Sequence, residues 1–157
     1  MANSTIQNPQ GTFWPLGFIP VANNGTPVNI MSVVDSQMVN APGNPVGPGY
    51  ANAAEFSPTC HRIWIQAVKP GNGNVAWQNT SGNVYVLMPL GPGNQNSGGP
   101  GNKSDSGVLI ALLTPGGFVN LPSMEWDGPT ISPYGFVIDA DVNGDGANVV
   151  LVNCSRG

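Results

Sequence analysis

The chain has 157 residues, of which only 8% are charged, and its formal net charge is −4. The four cations are too few to neutralise a run of phosphates, so we do not expect a nucleic acid partner. An average globular protein has about 25% charged residues. The surface is therefore expected to consist of neutral amides, hydroxyls and small apolar groups. The length of the chain predicts one domain with a single core.

No targeting signal is visible at the start of the chain. The segment MANSTIQNPQGTFWPLG has neither the basic nor the apolar region of a signal peptide. No apolar run approaches the ~20 residues that span a membrane, so no membrane contact is expected. We expect folding in a reducing cytoplasm, with Cys60 and Cys154 as buried thiols rather than a disulfide.

Residues 1–27 are predicted to form an extended N-terminal arm. The segment TFWPLGFIP contains two prolines, which remove backbone donors, and three aromatic side chains. Such rings must pack against something, either the arm's own domain or a neighbouring copy. The predicted interface residues are accordingly Phe13, Trp14 and Phe18.

Residues 28–157 are predicted to form an all-β domain, an antiparallel two-sheet sandwich of the jelly-roll type. Short apolar runs separated by turn residues are typical of such folds, and we count seven or eight runs. Only SVVDSQMVNA offers a short helix as an alternative to a strand. Residues 91–107 are predicted to be a long loop rich in Gly and Asn.

Three runs allow predictions about individual strand faces. In CHRIWIQAV, one face is predicted to carry His61, Ile63, Ile65 and Ala67, and the other Arg62, Trp64, Gln66 and Val68. In NVYVLMPL, one face is predicted to carry Val84, Val86 and Met88, and the other Tyr85 and Leu87. VLIALLT is apolar without interruption, which predicts a strand that is buried on both faces.

The stretch DADVNGDG, residues 139–146, resembles the first half of an EF-hand calcium loop. Such a loop also needs a bidentate glutamate at its twelfth position, where this chain has Val150. The spacing of Asp139 and Asp141 fits a strand whose outer face meets water, and NGDG fits a tight hairpin turn. We predict a hairpin turn here, and neither a metal nor another cofactor.

No catalytic site is predicted, and the chain is therefore not expected to be an enzyme. The single histidine, His61, has no metal-ligand spacing to a cysteine or carboxylate, and Cys60 beside it would point to the opposite face of a strand. We predict a core or strand-edge histidine. Glu125 and Asp127 flank Trp126, but they are too close in sequence to favour glycoside hydrolysis.

The succession RIWIQAV, NVAWQNTSGNVYVLM, GVLIALLTPGGFVNL and YGFVIDADVNGDGANVVLV resembles the small β-sandwich virion proteins of tailed bacteriophages. The matching residues are 63–67, 83–86, 113–118 and 136–152. The resemblance implies a capsid decoration (cement) protein, which binds and stabilises the phage head. It further implies a homotrimer on the capsid surface of the virion, with the major capsid protein as partner, assembled in the host cytoplasm.

The alternative function is a carbohydrate-binding module of a tail or receptor-binding adhesin. The neutral, Asn-rich composition suits contact with sugar, and aromatic side chains stack on pyranose rings. The candidate stacking residues are Trp64, Trp77 and Trp126.

Overall fold

The computed structural model describes residues 13–32, 60–88, 107–121 and 131–153. These residues form ten strands and a single 3-10 turn at Pro133–Gly135, and every strand pair is antiparallel. The predicted all-β, antiparallel class is therefore confirmed. The strands are β1 (Phe13–Pro20), β2 (Val28–Asn29), β3 (Arg62–Gln66), β4 (Val68–Pro70), β5 (Trp77–Asn79), β6 (Val84–Met88), β7 (Val108–Leu113), β8 (Phe118–Leu121), β9 (Val137–Ala140) and β10 (Gly146–Val152).

Eight of these strands form two four-stranded sheets. Sheet A has the order β1-β10-β3-β8, sheet B has the order β2-β9-β6-β7, and β4 pairs with β5 in a separate hairpin. The sheets share one core, because alternate side chains of both pack into the same cluster. Its members from the central strands are Ile63, Ile65, Ala147, Val149 and Leu151 of sheet A, and Val84, Val86, Ile138 and Ala140 of sheet B.

Strand β3 itself has the faces that its sequence predicts, but the prediction is wrong just outside the strand, where His61 is exposed and Val68 is buried. Ile63, Ile65 and Ala67 are fully buried, whereas Trp64 is only partly buried and lies on the opposite face. The agreement within β3 follows from the two-residue period of an extended chain, which needs no information about neighbouring strands. The alternation predicted for β6 is wrong beyond Val86, where the pairing with β7 shifts register: Leu87 is buried and Met88 is exposed.

The prediction that β7 is buried on both faces is wrong. Strand β7 is the edge of sheet B and pairs, within the described residues, with β6 alone. Its residues Val108, Leu109 and Leu112 are each more than half exposed. An unbroken apolar run specifies hydrophobicity, but it does not specify how many neighbours a strand has.

Of the predicted arm, residues 1–12 lie outside the described residues, and Phe13–Pro20 form β1 against β10. The register shifts between Pro15 and Gly17, and Gly17 has the positive φ of 85° that accommodates this bulge. Leu16 and Ile19 are buried members of the common core. This part of the segment therefore packs on its own domain.

Several predictions fall on parts of the chain outside the described ranges. They concern the loop at 91–106, the helical alternative beyond residue 32, Cys154 and the segment that contains Trp126. Within the described ranges, the chain has no helix of the length and hydrophobicity that a membrane span requires.

Candidate functional site

The outer face of sheet A carries many apolar side chains, interrupted by Asn148 and Gln66 in the row between Phe18 and Phe118. The antiparallel register places Pro15 opposite Val150, and Val150 opposite Trp64. Residues opposite one another in a sheet share a face, so these three form one row across the strands. The neighbouring row on one side contains Phe13 and Val152, and the row on the other side begins at Phe18 and ends at Phe118. We call this surface the aromatic face and define it by Phe13, Pro15, Phe18, Trp64, Phe118, Val150 and Val152.

A groove of about 330 Å³ crosses the aromatic face. Ligand-binding clefts in proteins begin at about this size, near 300 Å³. Its lining is almost entirely apolar, and the polar contribution comes from the exposed amide Asn120 at the end of the row. The lining residues are Phe13, Pro15, Trp64, Asn120, Val150 and Val152.

Aromatic contacts fix the positions of several rings around this groove. Trp64 and Phe118 lie with their ring centroids 6.3 Å apart and their planes tilted by 35°. Phe18 meets the edge of Trp77 from strand β5 at 6.4 Å and 61°. Such pairs contribute about 0.5–1.5 kcal/mol beyond the burial of their area. These contacts stabilise the positions of the four paired rings. Phe13 belongs to neither pair and is 71% exposed.

The aromatic face is almost free of charge. The three carboxylates among the described residues all lie in β9 or in the turn after it. Of the two described cations, Lys69 is paired with Asp145, and Arg62 lies opposite Val152 at one end of the face. A neutral apolar surface loses little solvation free energy when another surface covers it.

The structure separates the three predicted interface residues. Phe13 and Phe18 lie on the aromatic face, but Trp14 lies opposite the buried Leu151 and packs, partly buried, against the core. Of the candidate sugar-stacking residues, Trp64 lies in the groove, and Trp77 lies beside Phe18 with its ring half exposed.

Sequence reasoning missed the remaining members of the aromatic face. Val150 and Val152 belong to an apolar run, ANVVLV, whose alternate residues Val149 and Leu151 are buried. The two-residue period of a strand could have assigned them to the outer face. The membership of Phe118 required knowledge of the sheet order, since β8 reaches this face only by pairing with β3.

The stretch DADVNGDG forms a turn, as predicted, but the turn does not join a hairpin. Strand β9 before it belongs to sheet B and strand β10 after it belongs to sheet A, so the turn passes between the sheets. Gly144 has a positive φ of 83°, which a glycine adopts without steric cost. The expectation that Asp139 meets water is wrong, because this residue is fully buried.

The carboxylates of this turn region bind protein donors. The Oδ1 atom of Asp139 accepts hydrogen bonds from the backbone N–H groups of Gly25 and Ala140, at 3.0 and 2.7 Å. The carboxylate of Asp141 accepts from the hydroxyl of Tyr85 at 2.9 Å and from the backbone N–H of Asn83 at 3.2 Å. Among the described residues, no group of three or more histidine, cysteine or acidic side chains is arranged to hold a metal ion. These interactions give the motif a structural role.

Tyr85 is the residue whose titration is most clearly affected by this arrangement. Its burial raises the pKa of the phenol, and the hydrogen bond to Asp141 raises the pKa further. The structure therefore favours the neutral phenol, which can donate to the carboxylate.

Cys60 and His61 do not form a nucleophile–base pair. Cys60 is buried, as predicted for this cysteine, and its thiol donates to the carbonyl of Ile131 at 3.6 Å. His61 is exposed at the start of β3, so the strand-edge interpretation of this histidine fits and the core interpretation does not.

No family model, curated protein or solved structure matches this chain.

Proposed function

We propose that the chain is a structural virion protein, a capsid decoration (cement) protein that binds the head of a tailed phage and has no catalytic activity and no cofactor. The observation that carries the proposal is the aromatic face, an exposed, nearly uncharged surface on the outside of sheet A. Exposed apolar surface of this kind is typical of protein–protein contact. The chain thus acts by binding another shell component, the major capsid protein.

The order of the strands supports a jelly-roll assignment. With the β4–β5 hairpin treated as an insertion, the remaining eight strands run first-eighth-third-sixth in sheet A and second-seventh-fourth-fifth in sheet B. Jelly rolls have this order, in which two Greek keys wrap around one core, and they occur in viral capsid and lectin domains. A fold by itself does not assign a function. The exposed apolar side chains of the aromatic face support binding to another protein more directly.

The chemistry of the groove favours a protein partner over a sugar. Sugar recognition requires several hydrogen-bonding side chains beside a stacking ring. In this groove Asn120 is the polar side chain, while Gln66 on the same face already donates to the carbonyl of Gly116 at 3.1 Å. An apolar lining instead suits apolar side chains of a neighbouring protein.

The proposed assembly is a homotrimer that places several aromatic faces on the capsid at once. Each face buries a modest area, and linked copies raise the effective affinity without any additional contact. Tight retention on the particle then requires only weak binding by each copy.

The test measures occupancy on head particles of the phage that encodes the chain. The variant combines Phe13→Ser with Trp64→Ser, and we expect the bound amount at subsaturating concentration to fall at least tenfold, equivalent to about 1.4 kcal/mol. The matched control is Val75→Ser, which removes an exposed apolar side chain in the β4–β5 hairpin. Substitution is preferable to deletion of residues 1–20, because deletion also removes Leu16 and Ile19 from the core. Unchanged occupancy of a folded double variant contradicts the proposal.

A carbohydrate-binding adhesin is the second candidate, and the positions of Trp64 and Trp77 favour it. Both rings are accessible in part, one in the groove and one beside it. Host polysaccharide would then quench tryptophan fluorescence in the wild type and fail to do so after Trp64→Ser. Quenching together with unchanged particle occupancy of the double variant would favour the adhesin.

A further inference from the structure

The edge of sheet B carries a second apolar surface, which is separate from the aromatic face. Strand β7 pairs on one side with β6, and among the described residues no strand pairs with its other side. The backbone N–H and C=O groups along such an edge can pair with another strand. We call this surface the β7 edge and define it by Val108, Leu109, Ile110 and Leu112.

The β7 edge has little of the protection that is usual for edge strands. Natural edges are commonly short or carry lysine, proline or another charge, which prevents pairing with a second chain. Strand β7 has six residues, VLIALL, and none of them is charged or a proline. One bulge is present: Val86 lies opposite Ala111 and Leu87 opposite Leu109, so Ile110 is the extra residue. Regular pairing continues on both sides of this bulge.

We propose that the β7 edge is a self-association surface, at which β7 pairs antiparallel with β7 of a second copy. A twofold axis places the same strand on both sides, so the pairing brings together only apolar side chains and backbone groups. No like charges oppose each other within the strand pair. Met88 at the end of β6 is also exposed and extends the apolar surface beside this edge.

A second copy fits this edge better than a charged peptide does. The strand offers backbone hydrogen bonds and aliphatic side chains, and it has no charged group to select a partner of opposite charge. Pairing along six residues buries less area than a standard interface, so we expect micromolar rather than nanomolar affinity. The inference does not depend on the capsid-binding proposal, since the aromatic face lies on the other sheet.

The test is the mass of the purified chain in solution, measured by light scattering and sedimentation at about 100 μM, well above a micromolar Kd. We expect an even number of chains in the wild type, two if single chains pair or six if two of the proposed homotrimers pair. Leu112→Lys should halve that mass and weaken the association at least tenfold. With all six residues paired about the twofold axis, position 112 lies opposite Leu109 of the second copy, so each added ammonium group would face an apolar side chain and lose hydration. The matched control is Val75→Lys, which adds the same charge at a comparably exposed valine and should leave the mass unchanged.

Backbone hydrogen exchange separates strand pairing from other modes of association. In the wild type, exchange of the amides of residues 108–113 should slow as the chain concentration rises, and this concentration dependence should disappear in Leu112→Lys. A thermal unfolding midpoint near the wild-type value establishes that the variant is folded. A monomeric wild type, an odd-numbered assembly, an assembly that Leu112→Lys leaves intact, or exchange that is independent of concentration would each overturn the proposal.

Discussion

The Nζ atom of Lys69 lies 2.9 Å from the Oδ1 atom of Asp145, and this ion pair joins the β4–β5 hairpin to the start of β10. Asp145 is fully buried, and its Oδ2 atom accepts hydrogen bonds from the backbone amides of Ser81 and Gly82, both at 2.8 Å. One carboxylate therefore connects the hairpin, the turn before β6 and the turn between the two sheets. The cation that this aspartate binds is a lysine of its own chain.

The first prediction concerns this ion pair. Asp145→Ala should lower the free energy of unfolding by about 3 kcal/mol, because it leaves two backbone amides without their acceptor and leaves the partly buried Lys69 with only the hydroxyl of Ser81. Denaturant unfolding measures the change. The control in the same turn is Asn143→Ala, which removes an exposed acceptor for the amide of Asn24 and should cost about 1 kcal/mol or less. Equal effects of the two variants would contradict the central role of Asp145.

The second prediction concerns the stability of the protein at alkaline pH. The pKa of Tyr85 is raised by its burial and by Asp141, so the folded protein holds the phenolic proton more tightly than the unfolded chain. The resulting stability is complete below the unfolded pKa of about 10 and is lost as the pH rises through the folded pKa. Tyr85→Phe removes this titration. Its free energy of unfolding should fall less steeply above about pH 10 than that of the wild type.

The same substitution has an effect at neutral pH. Tyr85→Phe removes the hydrogen bond to Asp141 and should lower the free energy of unfolding by about 1 kcal/mol. Urea unfolding over a series of pH values measures both effects. Identical slopes for the wild type and the variant above about pH 10 would show that Tyr85 does not carry this pH dependence.

The third prediction concerns the close approach of β10 to β1. A Cβ atom on Gly146 would collide with the backbone carbonyl of Ile19, and that carbonyl cannot move without disturbing the pairing of the two strands. Gly146→Ala should therefore lower the free energy of unfolding by about 2 kcal/mol or more. The control is Gly135→Ala, where a Cβ meets nothing within 4 Å, and its effect should stay within about 0.5 kcal/mol.

The fourth prediction tests how the segment Phe13–Pro20 contributes to the domain. Ile19 is fully buried in the core, so Ile19→Ala should lower the free energy of unfolding by about 2–5 kcal/mol. Phe13→Ala on the same strand removes a ring that is 71% exposed and should cost less than about 1 kcal/mol. Thermal or chemical denaturation compares the two. A neutral Ile19→Ala would mean that this strand is a detachable arm.

The local features of the fold were predictable from the sequence. The buried faces of β3 and the turn at NGDG depend on the two-residue strand period and on the conformational freedom of glycine, which act within a few residues. The predicted all-β, antiparallel class is also confirmed. It too rests on local signals, namely short apolar runs separated by turn residues. The assignment of Phe13 and Phe18 to an interface remains a prediction, although both lie on the aromatic face.

The sequence by itself determined which residues are extended, where the chain turns and how little charge the surface has. Only the tertiary structure decided that β7 is an edge, that Trp14 points to the core while Phe13 does not, and that Asp145 pairs with Lys69. These outcomes depend on which strands become neighbours, and the partners lie far apart along the chain. The alternation within a single strand contains no information about that choice.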